Sequence, residues 1–240
     1  MLKRLFDIVA SLAALIFLSP IFLIAALGIS LSSRGPIFYR AQRAGKNGKP
    51  FIMHKFRTMR IEQGPKASAI TASQDSRVFP FGRLLRVSKI DELPQLYDVF
   101  RGVMSVVGPR PEAMSIVRDH YATEHLETLN VRPGLASPGS IYNYTHGEKL
   151  IGKIYPEKDY LEKLLPVKLA LETFYVRNAA SIYDLRIIFR TIFVIALIAV
   201  GKRQFSDPPE IRKVDRIIPA RGVPSRPVDA SLLNTKNNPE

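Results

Sequence analysis

The run LFDIVASLAALIFLSPIFLIAALGISL, residues 5–31, decides how the rest of the chain is placed. It is apolar almost throughout and long enough to enter a bilayer, because a spanning helix needs about 20 such residues. Two features speak against a simple crossing. Ser19-Pro20 sits near the middle, where proline withholds a backbone donor and clashes with the preceding turn, so a helix kinks or breaks there. Basic residues also flank both ends, Lys3 and Arg4 before and Arg34, Arg40, Arg43, Lys46 and Lys49 after, so a single pass would leave one basic flank on the wrong face. A re-entrant helix that enters, bends at Ser19 and Pro20 and leaves by the same face satisfies both observations; a kinked spanning helix is the alternative. The Ser19 hydroxyl is expected to help satisfy the carbonyls freed at the bend. Asp7 is expected near the membrane surface, where an ionised group is less costly than at the midplane. A cleaved signal peptide fits less well, since the run is long and no clear small-residue cleavage site follows it.

Outward from this anchor, residues 36–59 change period. Ile37, Tyr39 and Ala41 alternate with Phe38, Arg40 and Gln42, Asn47-Gly48 marks a turn, and residues 51–56 return, which reads as a β-hairpin. Lys55 and Arg57 lie two apart and so share a face, where they either clamp phosphate or face water. Residues 62–80 have little apolar periodicity and read as a mobile loop.

Asp91 and Glu92 follow in Ser88-Lys89-Ile90-Asp91-Glu92-Leu93-Pro94-Gln95-Leu96, with Arg83, Arg86 and Lys89 before them and Arg101 and Arg110 after. Cations keep a carboxylate pair ionised and attract phosphate, which bare carboxylates repel. An ordinary helix start gives the same local pattern, with Ser88 as N-cap and two acids in the first turn. Leu93, Leu96, Tyr97, Val99 and Phe100 fit a short amphipathic helix. Gly108-Pro109-Arg110-Pro111 is a rigid turn, and 112–129 reads as helix. Residues 131–146 read as a loop whose Tyr142, Asn143 and Tyr144 suit a base or sugar, as surface loops also do. Helix returns over 158–178. The apolar stretch 187–200 has an uninterrupted part too short to span, so it packs in the core or lies among headgroups.

The 240 residues can bury one substantial core. The fold class expected is α+β and predominantly helical, with the anchor over 1–34, a catalytic domain over 35–203 and a disordered tail over 204–240. A net charge of +14 points to an anionic partner: nucleic acid, anionic lipid or a phosphorylated small molecule. With no cysteine there is no disulfide, thiolate nucleophile or cysteine zinc site, and the four histidines lack metal-site spacing. Any metal is therefore a hard, oxygen-bound ion such as Mg2+.

Seven segments in order resemble the bacterial polyprenyl-phosphate sugar-1-phosphate transferases, the monotopic phosphoglycosyl transferases. They are Lys3-Arg4-Leu5-Phe6-Asp7, Ser19-Pro20, residues 35–40, Lys55-Phe56-Arg57-Thr58-Met59, residues 91–96, residues 104–111 and Val131-Arg132-Pro133-Gly134. The resemblance implies an enzyme on the cytoplasmic face of the bacterial inner membrane. It implies transfer of sugar-1-phosphate from a nucleotide sugar, usually a UDP-sugar, to a polyprenyl phosphate with release of UMP. It further implies Asp91 as nucleophile and Mg2+ ligand, with Glu92 beside it. Lys55, Arg57, Arg86 and Arg110 are expected on phosphate, and Arg132 on nucleotide or sugar. No nucleic-acid motif is present, and the oligomeric state, a homodimer included, stays open. The chain departs from the family pattern in lacking tryptophan after Pro133-Gly134, which leaves the donor sugar unassigned, and in carrying Glu172 where an aspartate is usual. A membrane-tethered basic binding module and a nucleotide-sugar hydrolase are the competing readings.

Overall fold

The computed structural model describes residues 2–61, 75–152 and 154–214. The described residues are mostly helical, with two small two-stranded sheets among them. Residues 62–74 of the expected mobile loop and 215–240 of the expected tail lie outside the described residues.

Helices α1 (Leu2–Phe17) and α2 (Ser19–Ser32) meet at Leu18 with a bend of 60°. Pro20 has no N–H to give the preceding turn, and α2 restarts with proline in its first turn, where that loss is tolerated. Leu18 still donates to Ala14 O at 2.9 Å and accepts from Phe22 N at 3.1 Å. The Ser19 hydroxyl makes no hydrogen bond among the described residues, contrary to expectation. Among the described residues no single helix is long and apolar enough to cross a membrane; the bent pair is.

The anchor is tied down at its polar end. Arg4 donates to Val99 O and Phe100 O, each at 2.6 Å, capping the end of α4 (Gln95–Arg101). Lys3 pairs with Asp184 on α9 (Ser181–Ala199). Asp7 is buried in protein, where its carboxylate accepts from Ser105 Oγ at 3.0 Å and Val106 N at 2.9 Å. Away from these contacts Ile16, Phe17, Leu23, Ile24, Leu27 and Leu31 are exposed. The returning helix docks where Ala25 and Ile29 join Phe56, Phe79 and Leu85 in one apolar cluster. Gly28 is required there: a Cβ would stand 2.3 Å from the Phe81 ring.

The hairpin forms as read, β1 (Phe38–Ala44) antiparallel to β2 (Pro50–Phe56). A parallel pair, β3 (Ser105–Val107) with β4 (Gly134–Ala136), was not expected. It needs glycine at both 108 and 134, since a Cβ on Gly134 would lie 2.1 Å from Gly108 N. The expected helix over 112–129 is instead α5 (Met114–His120) followed by a 3₁₀ stretch, Thr123–Asn130, because Tyr121 and Ala122 are extended and buried. The expected loop over 131–146 becomes β4 and α6 (Pro138–Leu150). Ser137 caps that helix by accepting from Ser140 N, with proline in the first turn, a start signal outweighed in the sequence by its glycines and prolines.

A short helix α7 (Pro156–Asp159), a π turn (Tyr160–Leu164) and α8 (Leu165–Arg177) fulfil the expected 158–178 helix. On α9, Ile187 is buried while Ile182, Phe189, Ile192 and Phe193 are exposed. The tail does not begin at 204: α10 (Ile211–Val214) ends in a buried Val214, and buried Glu210 takes Arg190 at 2.5 Å and Tyr183 at 3.0 Å.

Candidate active site

Helix α3 (Pro80–Val87) ends at Ser88, whose hydroxyl donates back to Leu84 O at 2.8 Å. Ser88 therefore closes one helix and does not cap the next. Lys89 then takes a left-handed backbone, φ 58°, which costs a non-glycine residue about 1–2 kcal/mol. This reversal leads into the 3₁₀ turn Ile90–Glu92, in which Asp91 and Glu92 are both buried, 8% and 9% exposed. Lys89 Nζ stands 4.1 Å from the centre of the Tyr144 ring, a cation–π contact that helps hold the turn.

The two carboxylates have different surroundings. Both Glu92 oxygens are engaged: Oε1 accepts from Lys55 Nζ at 2.8 Å and Arg110 Nη2 at 2.6 Å, and Oε2 from the Tyr144 hydroxyl at 2.9 Å. Burial alone would raise its pKa, but Arg110, Lys55 and Lys89 together hold it well below the usual carboxylate range. Asp91 Oδ1 is buried with no hydrogen-bond partner among the described residues. Burial, with Glu92 adding to it, pushes the Asp91 carboxyl up against the opposing pull of Lys55, Lys89 and Arg86. One acid is thus fixed and ionised, while its neighbour presents an unengaged oxygen.

Supporting contacts fix the cations. Asp98, fully buried on α4, accepts from His54 N at 2.8 Å and pairs with His54 Nδ1 at 2.7 Å, which clamps β2 just before Lys55. Arg110 leaves the β3 turn with its backbone N–H on Glu172 Oε1 at 3.2 Å and Nη1 on Gln95 Oε1 at 2.8 Å. Arg86 donates to Thr58 Oγ1 at 2.9 Å, and its charge is felt by Asp91.

Lys55, Arg86 and Arg110 are therefore brought to the pair. Arg57 is not: it is buried, donating to Pro36 O at 2.5 Å, Ser33 Oγ at 2.8 Å and Ser33 O at 2.7 Å, so it closes the exit of α2. Arg132 is not either, being exposed and donating to Gly102 O at 2.7 Å on the side where Arg4 docks. Gln95 and Asp98 were missed as site residues, and Glu172 was noted only as a departure from the family pattern. Tyr144 was read as a loop residue suited to a base or sugar, but it stands on α6 and donates to Glu92; only the α6 cap could have placed it on a helix face.

Glu172 carries a pH dependence of its own. Oε1 accepts from Ser137 Oγ at 2.6 Å and from Arg110 N, while Oε2 is buried without a partner among the described residues. Burial pushes its carboxyl up to about 7 from the ordinary 4.5. The native chain therefore holds a proton that the unfolded chain releases. Stability is fully present below pH 4.5 and declines as pH rises toward 7, by about 3 kcal/mol in all. Glu172→Gln is expected to flatten the melting temperature between pH 5 and 8 and to raise it at pH 8. Thermal unfolding in detergent across that range checks this; a variant as pH-dependent as the parent would show that Glu172 is not the source.

Comparison with known proteins places this geometry. The family model for bacterial sugar transferases matches residues 1–197. A UDP-glucose:undecaprenyl-phosphate glucose-1-phosphate transferase of Klebsiella pneumoniae is 35% identical over 197 residues, covering 80% of this chain and 39% of that protein. A protein of the same description from Caulobacter vibrioides is 35% identical over 193 residues, 79% of this chain and 68% of its own length. The exopolysaccharide production protein PSS of Rhizobium leguminosarum bv. phaseoli is 34% identical over 197 residues, 80% of this chain and 93% of its own. The chain spans less than half of the Klebsiella protein but nearly the whole of the Rhizobium one. The match takes in the bent helix pair, the hairpin, the carboxylate turn and the Arg110 turn alike, and on that extent the chain belongs to the bacterial sugar transferase family.

Proposed function

We propose that this protein moves a sugar-1-phosphate from a UDP-sugar to a polyprenyl phosphate, with Asp91 as the covalent carrier. The observation that carries this reading is the buried, unengaged Asp91 Oδ1 beside a Glu92 whose two oxygens are both held. An Asp91 oxygen attacks the phosphorus that bears the sugar; the bond from that phosphorus to the nucleotide breaks, and UMP leaves. An oxygen of the polyprenyl phosphate then attacks the same phosphorus, and the Asp91 carboxylate departs unchanged. Splitting the transfer lets a soluble donor and a membrane acceptor use one site in turn. Lys55, Arg86 and Arg110 offset the charge that develops on phosphoryl oxygens.

No group of three or more potential ligands gathers among the described residues, so no protein cage for a metal exists there. Mg2+ does not need one, since it is held by one or two carboxylates together with substrate phosphates and water. Asp91 would supply the carboxylate, through the oxygen that is otherwise unsatisfied. When bound, the ion would neutralise phosphate charge.

The membrane setting belongs to the same proposal. The exposed apolar tip of α1 and α2 enters the cytoplasmic leaflet of the bacterial inner membrane and returns, leaving its docked polar end at the surface. The apolar face of α9 lies along that surface.

The reading is tested with purified protein, UDP-glucose, Mg2+ and undecaprenyl phosphate, scoring UMP over many turnovers. UMP release is expected to require the lipid. Release at the same rate without lipid would make the protein a hydrolase and overturn the transfer.

A further inference from the structure

Beside Glu92 lies a cavity of about 140 Å³ whose far wall takes no part in holding the carboxylate pair. Arg43 reaches it from β1 and Lys168 from α8. The hairpin register sets Ala41 opposite Met53 and Arg43 opposite Phe51, so Arg43 shares a face with Met53 and Lys55. Arg43 Nε is buried with no hydrogen-bond partner among the described residues. Lys168 is 4% exposed and held on two sides, donating to Glu112 and, at 2.8 Å, to the Tyr160 hydroxyl, which itself donates to Glu112 Oε1 at 2.7 Å. Tyr160 opens the π turn, a distortion that often marks functional sites.

The charges on the wall do not cancel. Arg43, Lys55, Arg110 and Lys168 face the carboxylates of Glu92 and Glu112, which leaves an excess of two positive charges around the cavity. Glu92 is satisfied by Lys55 and Arg110, and Glu112 by Lys168, so among the described residues the buried cationic donor on this wall without a partner is Arg43 Nε. A buried guanidinium N–H without an acceptor is costly, and a phosphate monoester carries close to two negative charges at neutral pH.

We propose that this cavity seats the phosphate retained by the departing nucleotide, with Arg43 Nε–H donating to it. The Lys168–Glu112–Tyr160 cluster fixes the wall against which that phosphate rests. This assignment rests on the transferase reading: the phosphorus attacked by Asp91 lies on the Glu92 side of the cavity, and the leaving phosphate lies deeper.

Equilibrium binding of UMP, uridine and inorganic phosphate to the full chain in detergent tests it. In the Asp91→Asn background, where nothing turns over, UMP is expected to bind within about threefold of the unsubstituted chain and more tightly than uridine. Adding Arg43→Met should weaken UMP and inorganic phosphate by roughly 10- to 100-fold, the loss of one charge-assisted hydrogen bond, and leave uridine unchanged. Arg43→Lys, which keeps the charge but lacks the Nε–H, should fall between the two. It also serves as the readable variant if Arg43→Met melts early. UMP binding untouched by both substitutions, an equal loss of uridine, or no preference for UMP over uridine in the unsubstituted chain overturns the assignment. Loss of UMP binding in Arg43→Met together with full turnover in Asp91→Asn would keep the phosphate seat and refute the covalent carrier.

Discussion

Asp91→Asn protein, given a UDP-sugar, Mg2+ and polyprenyl phosphate, is expected to lose turnover by on the order of 10⁶-fold, the scale on which losing a covalent nucleophile acts. No phosphosugar adduct should then be found on residue 91 by mass spectrometry after donor alone is supplied. The substitution is a clean one on physical grounds. Asparagine has the shape of aspartate, and Oδ1 has no hydrogen-bond partner to lose. Burial already disfavours the charged form of Asp91, so a neutral side chain relieves a desolvation cost instead of adding one. The melting temperature should stay level or rise while activity disappears. Turnover at an undiminished rate in well-folded Asp91→Asn protein would refute the carrier role outright. The basic binding module would be the better reading if neither the parent nor Asp91→Asn protein turned over while both kept salt-sensitive lipid binding.

Where the sequence spoke through short-range physics, the structure agrees with it. Proline cannot donate to the preceding turn, and the bend falls at Leu18, next to Ser19 and Pro20. Alternation around Asn47-Gly48 gave the hairpin, and Asn47 does take the left-handed backbone that such a turn requires. The carboxylate turn was read through its neighbours' charge, which was expected to keep both acids ionised; both are buried, and burial pushes the Asp91 carboxyl up while the cations hold Glu92 down.

What the sequence hid was long-range pairing. Arg57 and Arg110 are the same residue type in equally basic settings; only folding shows that one meets Ser33 and Pro36 while the other meets Glu92. Arg132 was likewise expected on nucleotide or sugar, yet it donates to Gly102 O, because a cation's role depends on which carbonyls or carboxylates the topology delivers to it. Asp7 was read for its distance along an apolar helix, yet its partners are 98 and 99 residues away. The glutamate at 172 has a compensation that is just as distant: a Cβ at Gly139 would lie 2.5 Å from its Oε1. The extra methylene relative to aspartate fits because position 139 has no side chain.

Arg110→Met is the other substitution with a large expected effect, and it separates charge from geometry. The guanidinium joins Glu92 Oε1 at 2.6 Å to Gln95 Oε1 at 2.8 Å, with Gln95 fully buried. Methionine fills similar space but leaves Glu92 with Lys55 and Tyr144 alone and Gln95 Oε1 with no donor. Breaking a buried pair from one side costs about 3–5 kcal/mol, so the melting temperature should drop. Among the cations that hold the Glu92 carboxyl down, Arg110 acts most strongly, so its loss moves that acid back toward the usual range. For activity per folded molecule, kcat should fall about 10²- to 10³-fold, the cost of losing one preorganised donor to a developing phosphoryl charge. Arg110→Lys tests which property matters. An ammonium can satisfy Glu92 but cannot span from Glu92 to Gln95 as the planar fork does. Lysine should therefore recover most of the stability and little of the rate. If lysine restored both, charge alone would suffice; if methionine raised KM with kcat intact, Arg110 would serve binding and not the transfer.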